Sequence, residues 1–386
     1  MATIKIKVLG VFQKFIFKGY RCCIMKSYSI IFGVFTLFLV LVPILSYVIF
    51  PDSTGGFDTS QEKSFILGSS EPYTETSIGT SSNTVLDTTI STNGSTTNMN
   101  DTFKVLNTAN NQVMNVSAKD YVIGSVCAEM PATFETETIK AQAIVCYTYA
   151  IRLRDIQKEN PNSELHGADF SNDSGKYQAY YTDAQLKELY GSKYQEYYNK
   201  VASAVDEVLG LVITYDDKLI VPVFHSISYG KTEDALVVWG YNIPYLVSVD
   251  STQDTKASSY LDTKTFTPTE LQNRFLSVYP NMSFNSDCSK WIDIQSTSEV
   301  GTIVSVAVGG VSISGQEFRE VLSLRSANFS VSYNGDTFTV TTKGYGHAVG
   351  LSQYGANQLA MQGYHYDDIL KHYYSGVNIV DVSTIQ

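Results

Sequence analysis

The chain has 386 residues, 44% of them hydrophobic, with a formal net charge of −11 at pH 7, and that length and composition allow a sizeable core. The charge is unevenly placed: Lys5, Lys7, Lys14, Lys18, Arg21 and Lys26 give the first 50 residues +6 without one acid, so residues 51–386 carry −17. Nucleic acid is excluded as a partner, because most of the chain would repel phosphate.

Residues 1–29 form a basic segment, and residues 30–50 read IIFGVFTLFLVLVPILSYVIF, about twenty mostly apolar residues without a charge, the length of a bilayer-crossing helix. The bases precede this run and acids begin only at Asp52, so the positive-inside rule puts the N-terminus in the cytoplasm and the rest outside. An uncleaved signal anchor in the cell membrane is expected; a cleaved signal peptide is the alternative, and no A-x-A site follows the run. Cys22 and Cys23 lie just before it, where acylation is chemically feasible. Residues 51–101 are dominated by Ser, Thr, Asn and Gly, too poor in large apolar side chains to fold, and predict a disordered, flexible tether or a mere spacer.

Beyond it the elements alternate. Residues 119–128 suit a strand or a short helix, and 135–154 an amphipathic helix with Ile139, Ala143, Cys146 and Ala150 on one face. Cys127, Cys146 and Cys288 match no zinc or disulfide spacing. A Cys127–Cys146 bridge would have to reach back along about three helical turns. Between these two segments stands Glu129, flanked by Cys127, Ala128, Met130 and Pro131. In a cleft such neighbours raise a carboxyl's pKa and fit it for general-acid work; without a cleft the same residue serves structure only. Residues 184–209 predict one helix with a Tyr-rich face, and 211–215 and 220–228 predict strands. Residues 302–308 and 311–313 flank a Gly309-Gly310 turn. Ser314 caps a helix through Leu322 with Glu317 at the capping-box position. Residues 329–333 and 337–342 pair across Asn334-Gly335. The mixture predicts an α+β fold, one extracytoplasmic domain over 102–386.

The last segment, GYGHAVGLSQYGANQLAMQGYHYDDILKHYYSG (344–376), packs three of the five histidines behind closely spaced glycines. Glycines permit tight turns and close approach, and His347, Ser352, Gln353 and Tyr354 offer polar groups from one turn, so the loop is expected to face a ligand.

Four blocks in order, VCAEMPATFETETIKAQAIVCYTYAIR (126–152), HSISYGKTEDALVVWGYNIPYLVSVDS (225–251), GQEFREVLSLRSANFSV (315–331) and the glycine-rich segment, resemble the stage II sporulation protein D and amidase-enhancer family over about residues 102–386. The resemblance implies a membrane-anchored lytic transglycosylase that cuts peptide-stripped peptidoglycan glycan strands during forespore engulfment, beside a partner amidase and other engulfment membrane proteins. Glu129 matches the family's catalytic glutamate. One carboxylate suffices for this chemistry, since the sugar's own 6-hydroxyl is the nucleophile, whereas hydrolases use a carboxylate pair. By the same resemblance Lys140 supports the cleft or is a helix-surface lysine, and Ser226, Gly230 and Thr232 bind sugar or form turns. His347, Ser352, Gln353 and Tyr354 are expected to line the glycan groove, and Tyr373 and Tyr374 to pack or to stack on sugar.

Two departures stand out. Where the family reads ARTYA, this chain has Cys146 and Tyr147, so an arginine is missing, with Arg152 a displaced substitute. Some relatives bind zinc after that helix, but here only His166 falls in the loop, and one histidine cannot hold a structural metal; neither metal nor other cofactor is expected. The rival readings are a non-catalytic glycan-binding module that stimulates or recruits an amidase, favoured by Tyr147, and an adhesin or structural ectodomain, favoured only by the tether.

Overall fold

The computed structural model describes residues 101–385; the predicted membrane span at 30–50, Cys22, Cys23 and the tether up to residue 100 lie outside them. No helix among the described residues is long and apolar enough to cross a membrane.

The described chain opens on a hairpin, β1 (Thr102–Asn107) and β2 (Gln112–Ser117). Ser117 then caps α1 (Ala118–Glu129), its hydroxyl accepting from the Asp120 N–H, one of the first-turn donors a helix leaves open. α2 (Thr136–Glu159), β3 (Phe170–Ser171), α3 (Asp183–Tyr190) and α4 (Tyr194–Val208) follow. The single helix expected over 184–209 is two, because Gly191 takes φ 50° and opens a 3-10 turn (Gly191–Lys193). Next come β4 (Leu211–Tyr215), β5 (Lys218–Leu219), β6 (Phe224–His225) and α5 (Ala235–Trp239); of the strand expected over 220–228 only β6 forms a ladder. A run of β7 (Leu261–Phe266), α6 (Pro268–Val278), β8 (Ile292–Thr297), β9 (Ile303–Val308), β10 (Val311–Ile313), α7 (Gly315–Leu322), β11 (Phe329–Tyr333) and β12 (Phe338–Lys343) builds a second core. The chain ends with β13 (Leu351–Ser352), α8 (Gln353–Met361), α9 (Tyr366–Tyr373) and β14 (Asn378–Asp381).

The fold is α+β, with small sheets ordered β2-β1-β3, β14-β4-β5, β10-β9-β8, β11-β12-β7 and the parallel pair β13-β6. α2 organises the first core. Thirteen residues between Thr138 and Ile151, all but Lys140, are buried, so its middle is covered on every side rather than along one stripe. α1, α4, β4, α8 and α9 do the covering, and Phe103, Tyr121 and Phe170 pack ring to ring beside it. The second core stacks Phe318 on Phe329 and Trp291 on Phe338. Each such fully buried side chain stabilises by about 1.5–3 kcal/mol. The glycine-rich segment closes the fold, bridged to the stretch before α5 at Ile227↔Tyr345 and Glu233↔Val349.

The local signals of the second core hold: the 309–310 turn joins β9 to β10, Ser314 and Glu317 form a full capping box, and β11 pairs with β12 in register from Phe329↔Thr342 to Tyr333↔Phe338. Residues 119–128 resolve into helix, and Cys127, Cys146 and Cys288 are all free thiols.

Candidate active site

Glu129 is the last residue of α1, and Pro131 sets that ending. A proline disfavours helical geometry in the residue before it, and Met130 takes φ −145° and ψ 158° as the C-cap. The Glu-Met-Pro sequence thus breaks the helix and leaves Glu129 at its rim, half-buried. Its Oε1 accepts from the Ala179 N–H at 2.9 Å. Burial pushes the carboxyl up to about 7, and the Ala179 N–H holds back part of the rise. The negative end of the α1 dipole acts in the same sense as burial. Acid and base forms therefore coexist near neutrality, as a group that donates a proton and later takes one back requires. With Oε1 occupied by an N–H, the proton belongs on Oε2.

A buried polar layer supports this rim. Gln353, at the start of α8, donates through Nε2 to the Glu129 carbonyl at 3.0 Å and lies 3.4 Å from Gln142 Oε1. Gln142 and Gln178 both turn amide nitrogens to the Cys146 sulfur. Burial pushes the Cys146 thiol far up, so it stays protonated and serves as a neutral acceptor rather than a nucleophile. Tyr354, next along α8, donates its N–H to the Ser226 carbonyl at 3.0 Å. Both side chains are half-buried. Glu129, Gln353, Tyr354 and Ser226 therefore come together from three distant parts of the chain.

Known proteins resemble this chain over the same region. The profile described as "Stage II sporulation protein" matches residues 107–215, which include Glu129 and most of its supporting layer. Stage II sporulation protein D of Bacillus subtilis (strain 168) is 40% identical over 276 residues, 71% of this chain and 78% of that protein. The protein of the same description from Bacillus amyloliquefaciens is 39% identical over 280 residues, 72% and 79% of the two chains. The chain belongs to the stage II sporulation protein D family. It is also 26% identical over 304 residues to a Bacillus subtilis protein described as an amidase enhancer, covering 66% of this chain and 40% of that one.

The remaining residues singled out by resemblance to the stage II sporulation protein D family fall in different places. Lys140 ion-pairs with Glu137 at 2.8 Å and Glu207 at 2.7 Å, on the side of α2 that meets α4. Thr232 is fully buried and its hydroxyl bonds the Val249 N–H and the Val247 carbonyl; Gly230, at φ 101°, shapes the same turn. Ser352 is fully buried, its hydroxyl committed to Asp254 and the Gly355 N–H. Tyr373 and Tyr374 are buried too, packing residues rather than a surface for sugar.

His347 is also interior, 5% exposed. Its Nδ1 accepts from the Val349 N–H at 3.0 Å, which assigns the ring proton to Nε2. His225 faces the Val349 carbonyl through Nδ1 at 3.1 Å, and the two rings lie 5.7 Å apart, with Trp239 5.2 Å from His347. Burial pushes His225 down to about 3 and His347 well below its usual range, so both are neutral. Residues 344–356 of the glycine-rich segment are thus mostly a buried packing strip: a Cβ on Gly346 would come within 2.7 Å of His225 Cβ. They reach the end of α1 through Gln353 and the Ser226 carbonyl through Tyr354.

Tyr147, where the resemblance implies an arginine, is buried edge-on to Phe103 at 6.3 Å, beneath an Arg154 guanidinium that covers Phe103 and pairs with Asp101 at 2.6 Å. That position faces β1, on a different side of α2 from Gln142 and Cys146. Arg152 reaches the Leu219 carbonyl at 3.3 Å, so neither arginine is bonded to Glu129. His166 is exposed in a left-handed C-cap, and among the described residues no three His, Cys, Asp or Glu side chains gather as metal ligands would.

Sequence reasoning missed Gln142, Gln178 and Ala179. Gln142 carried a signal, being a polar residue beside the apolar row Ile139, Ala143, Cys146 and one helical turn from Cys146. Gln178 and Ala179 lie between β3 and α3, in a stretch without periodicity.

Proposed function

We propose that the protein is a membrane-anchored lytic transglycosylase that cleaves MurNAc–GlcNAc bonds in peptide-stripped peptidoglycan. The observation that carries this reading is the Glu129 carboxyl, held up to about 7 by burial with one N–H on Oε1. Oε2–H protonates the glycosidic oxygen as the C1–O bond breaks; the MurNAc 6-hydroxyl oxygen closes on C1, and its proton returns to Oε2. The product ends in 1,6-anhydro-MurNAc and Glu129 is restored. Burial rather than a neighbouring carboxylate raises Glu129, which suits a reaction in which the sugar supplies its own nucleophile. Ser226 and Tyr354, both half-buried, are read as the polar groups along which a glycan strand would lie. The charge-free run at 30–50 after six bases is read as a single-pass anchor that leaves residues 102–386 outside the cytoplasm. There, by its kinship with stage II sporulation protein D, the chain acts in forespore engulfment with a wall amidase.

A second reading, a non-catalytic glycan-binding module that stimulates an amidase, draws on the relative described as an amidase enhancer. One experiment separates them: the chain and Glu129→Gln are incubated with peptide-free glycan strands and products are read by mass spectrometry. Anhydro-MurNAc ends from the wild type alone support the transglycosylase. Binding by both proteins without product supports the module.

A further inference from the structure

Asp254 is a fully buried carboxylate that the proposed chemistry does not use. It lies in the 3-10 turn Thr252–Lys256, without an ion pair among the described residues, and hydroxyl and amide donors satisfy it instead. Oδ2 accepts from the Ser228 N–H at 2.8 Å and the Ser251 hydroxyl at 3.0 Å, and Oδ1 accepts from the Ser352 hydroxyl at 3.0 Å. Ser251 spends its proton on Asp254, so Tyr373, 2.9 Å away, donates to Ser251. A buried carboxyl is costly unless its oxygens are hydrogen-bonded, so this one demands a fixed set of donors at fixed angles.

The donors it fixes lead to the end of α1. Ser352 is the N-cap of α8, and while donating to Asp254 its oxygen accepts from the Gly355 N–H at 3.2 Å. The next residue is Gln353, whose amide holds the Glu129 carbonyl, and the one after it holds Ser226. The first turn of α8 is pressed against the hub: a Cβ on Gly355 would overlap Tyr373 Oη, with Ser251 Oγ at 2.5 Å and Asp254 Oδ1 at 3.1 Å.

We propose that Asp254 is a positioning residue: through Ser352 it sets the depth and direction of α8, and through Gln353 it holds the end of α1 that carries Glu129. The proposal rests on the reading of Glu129 as the acid–base group, and its test does not depend on turnover.

The full chain in detergent, labelled with 13C at glutamate carboxyls, is titrated by NMR, with the Glu129 resonance assigned by its loss in Glu129→Gln. Asp254→Asn keeps shape and removes one acceptor, and is expected to move the Glu129 midpoint by about half a pH unit or more. In a Gln353→Ala background the same substitution moves it by less than about a third of that, since the route is cut. Where turnover is measurable, Asp254→Asn lowers kcat about tenfold with KM held within about twofold, as misplacement of a catalytic group does. Should Asp254→Asn not fold, Ser352→Ala breaks the route one bond later and must shift the midpoint likewise. A folded variant with an unmoved midpoint, or an equal shift in both backgrounds, overturns the proposal. A wild type that makes no anhydro product sinks the transglycosylase reading alone, because the titration cycle still decides whether Asp254 positions Glu129.

Discussion

Replacing Glu129 by Gln should stabilise the protein at neutral and alkaline pH while abolishing cleavage. Unfolded, the side chain titrates near 4.5; folded, near 7. A carboxyl raised by folding contributes its full stability below the unfolded value and loses it as pH climbs through the folded one. At 1.36 kcal/mol per pH unit the gap corresponds to about 3 kcal/mol, and solvent reaching a half-buried group trims it toward about 2 kcal/mol. Gln is never charged, yet keeps an Oε1 to accept the Ala179 N–H, so it escapes this loss without orphaning the donor. Urea midpoints for both proteins, taken from about pH 4 to about pH 8, should show the variant gaining about 2–3 kcal/mol on the wild type across that window. The acid weakness contributed by the buried histidines is common to both chains and cancels. A difference constant within about 0.5 kcal/mol over the same range would refute the claim that burial holds the Glu129 carboxyl up, and the acid–base assignment would lose its basis.

If Oε2–H is the proton donor, kcat/KM for anhydro-product formation should fall about tenfold per unit above about pH 7, and a rate flat to pH 9 would exclude Glu129 as the acid. His225 and His347 are neutral when folded but take up protons when unfolded, so stability should drop as pH falls below the usual histidine value of 6.5, by about 2 kcal/mol per ring at about pH 5. His225→Gln should roughly halve that slope in urea titrations. Gly355→Ala should cost about 2–4 kcal/mol of stability, because its methyl group meets Tyr373, Ser251 and Asp254 at once; a thermal midpoint like that of the wild type would show that α8 is not pressed on the hub. Tyr147→Arg, which introduces the arginine that the resemblance implies, should leave cleavage within about twofold of wild type, because position 147 is turned to β1 and acts on packing.

What the sequence made legible was local. The 309–310 turn, the Ser314–Glu317 box and the hairpin at Asn334 each follow from residues within a few positions of one another, and each stands. The middle of α2 was misread as one-sided, because an apolar stripe on Ile139, Ala143, Cys146 and Ala150 says nothing of what covers the other faces; Val145, Tyr149 and the Thr148 hydroxyl are also buried, the last bonding within the helix and to the Ile213 N–H. The glycine-rich segment was misread for a related reason. Glycine permits close approach to a ligand or to the protein's own backbone, and only the fold decides which.

The same limit governs the site. Glu129 meets Gln353 across 224 positions and Ala179 across 50, separations no periodicity spans. Yet both contacts are to backbone atoms, a carbonyl and an N–H, which any residue carries at those points. Neither Ala179 nor the peptide of Glu129 is demanded by side-chain chemistry there; what is demanded is that α1 end at Met130 and α8 begin at Ser352. The part of the site written in residue identity is therefore the stop signal of Pro131, the cap of Ser352 with its buried Asp254, and the reaching amide of Gln353. Removing the stop makes the point: with Pro131→Ala the residue before it regains access to helical geometry, so α1 should extend by a turn and carry the Glu129 carboxyl away from the Ala179 N–H. The Glu129 midpoint in the 13C titration should then move by about one unit. A midpoint still near 7 would mean that packing alone, and not the Glu-Met-Pro break, holds the carboxyl in place.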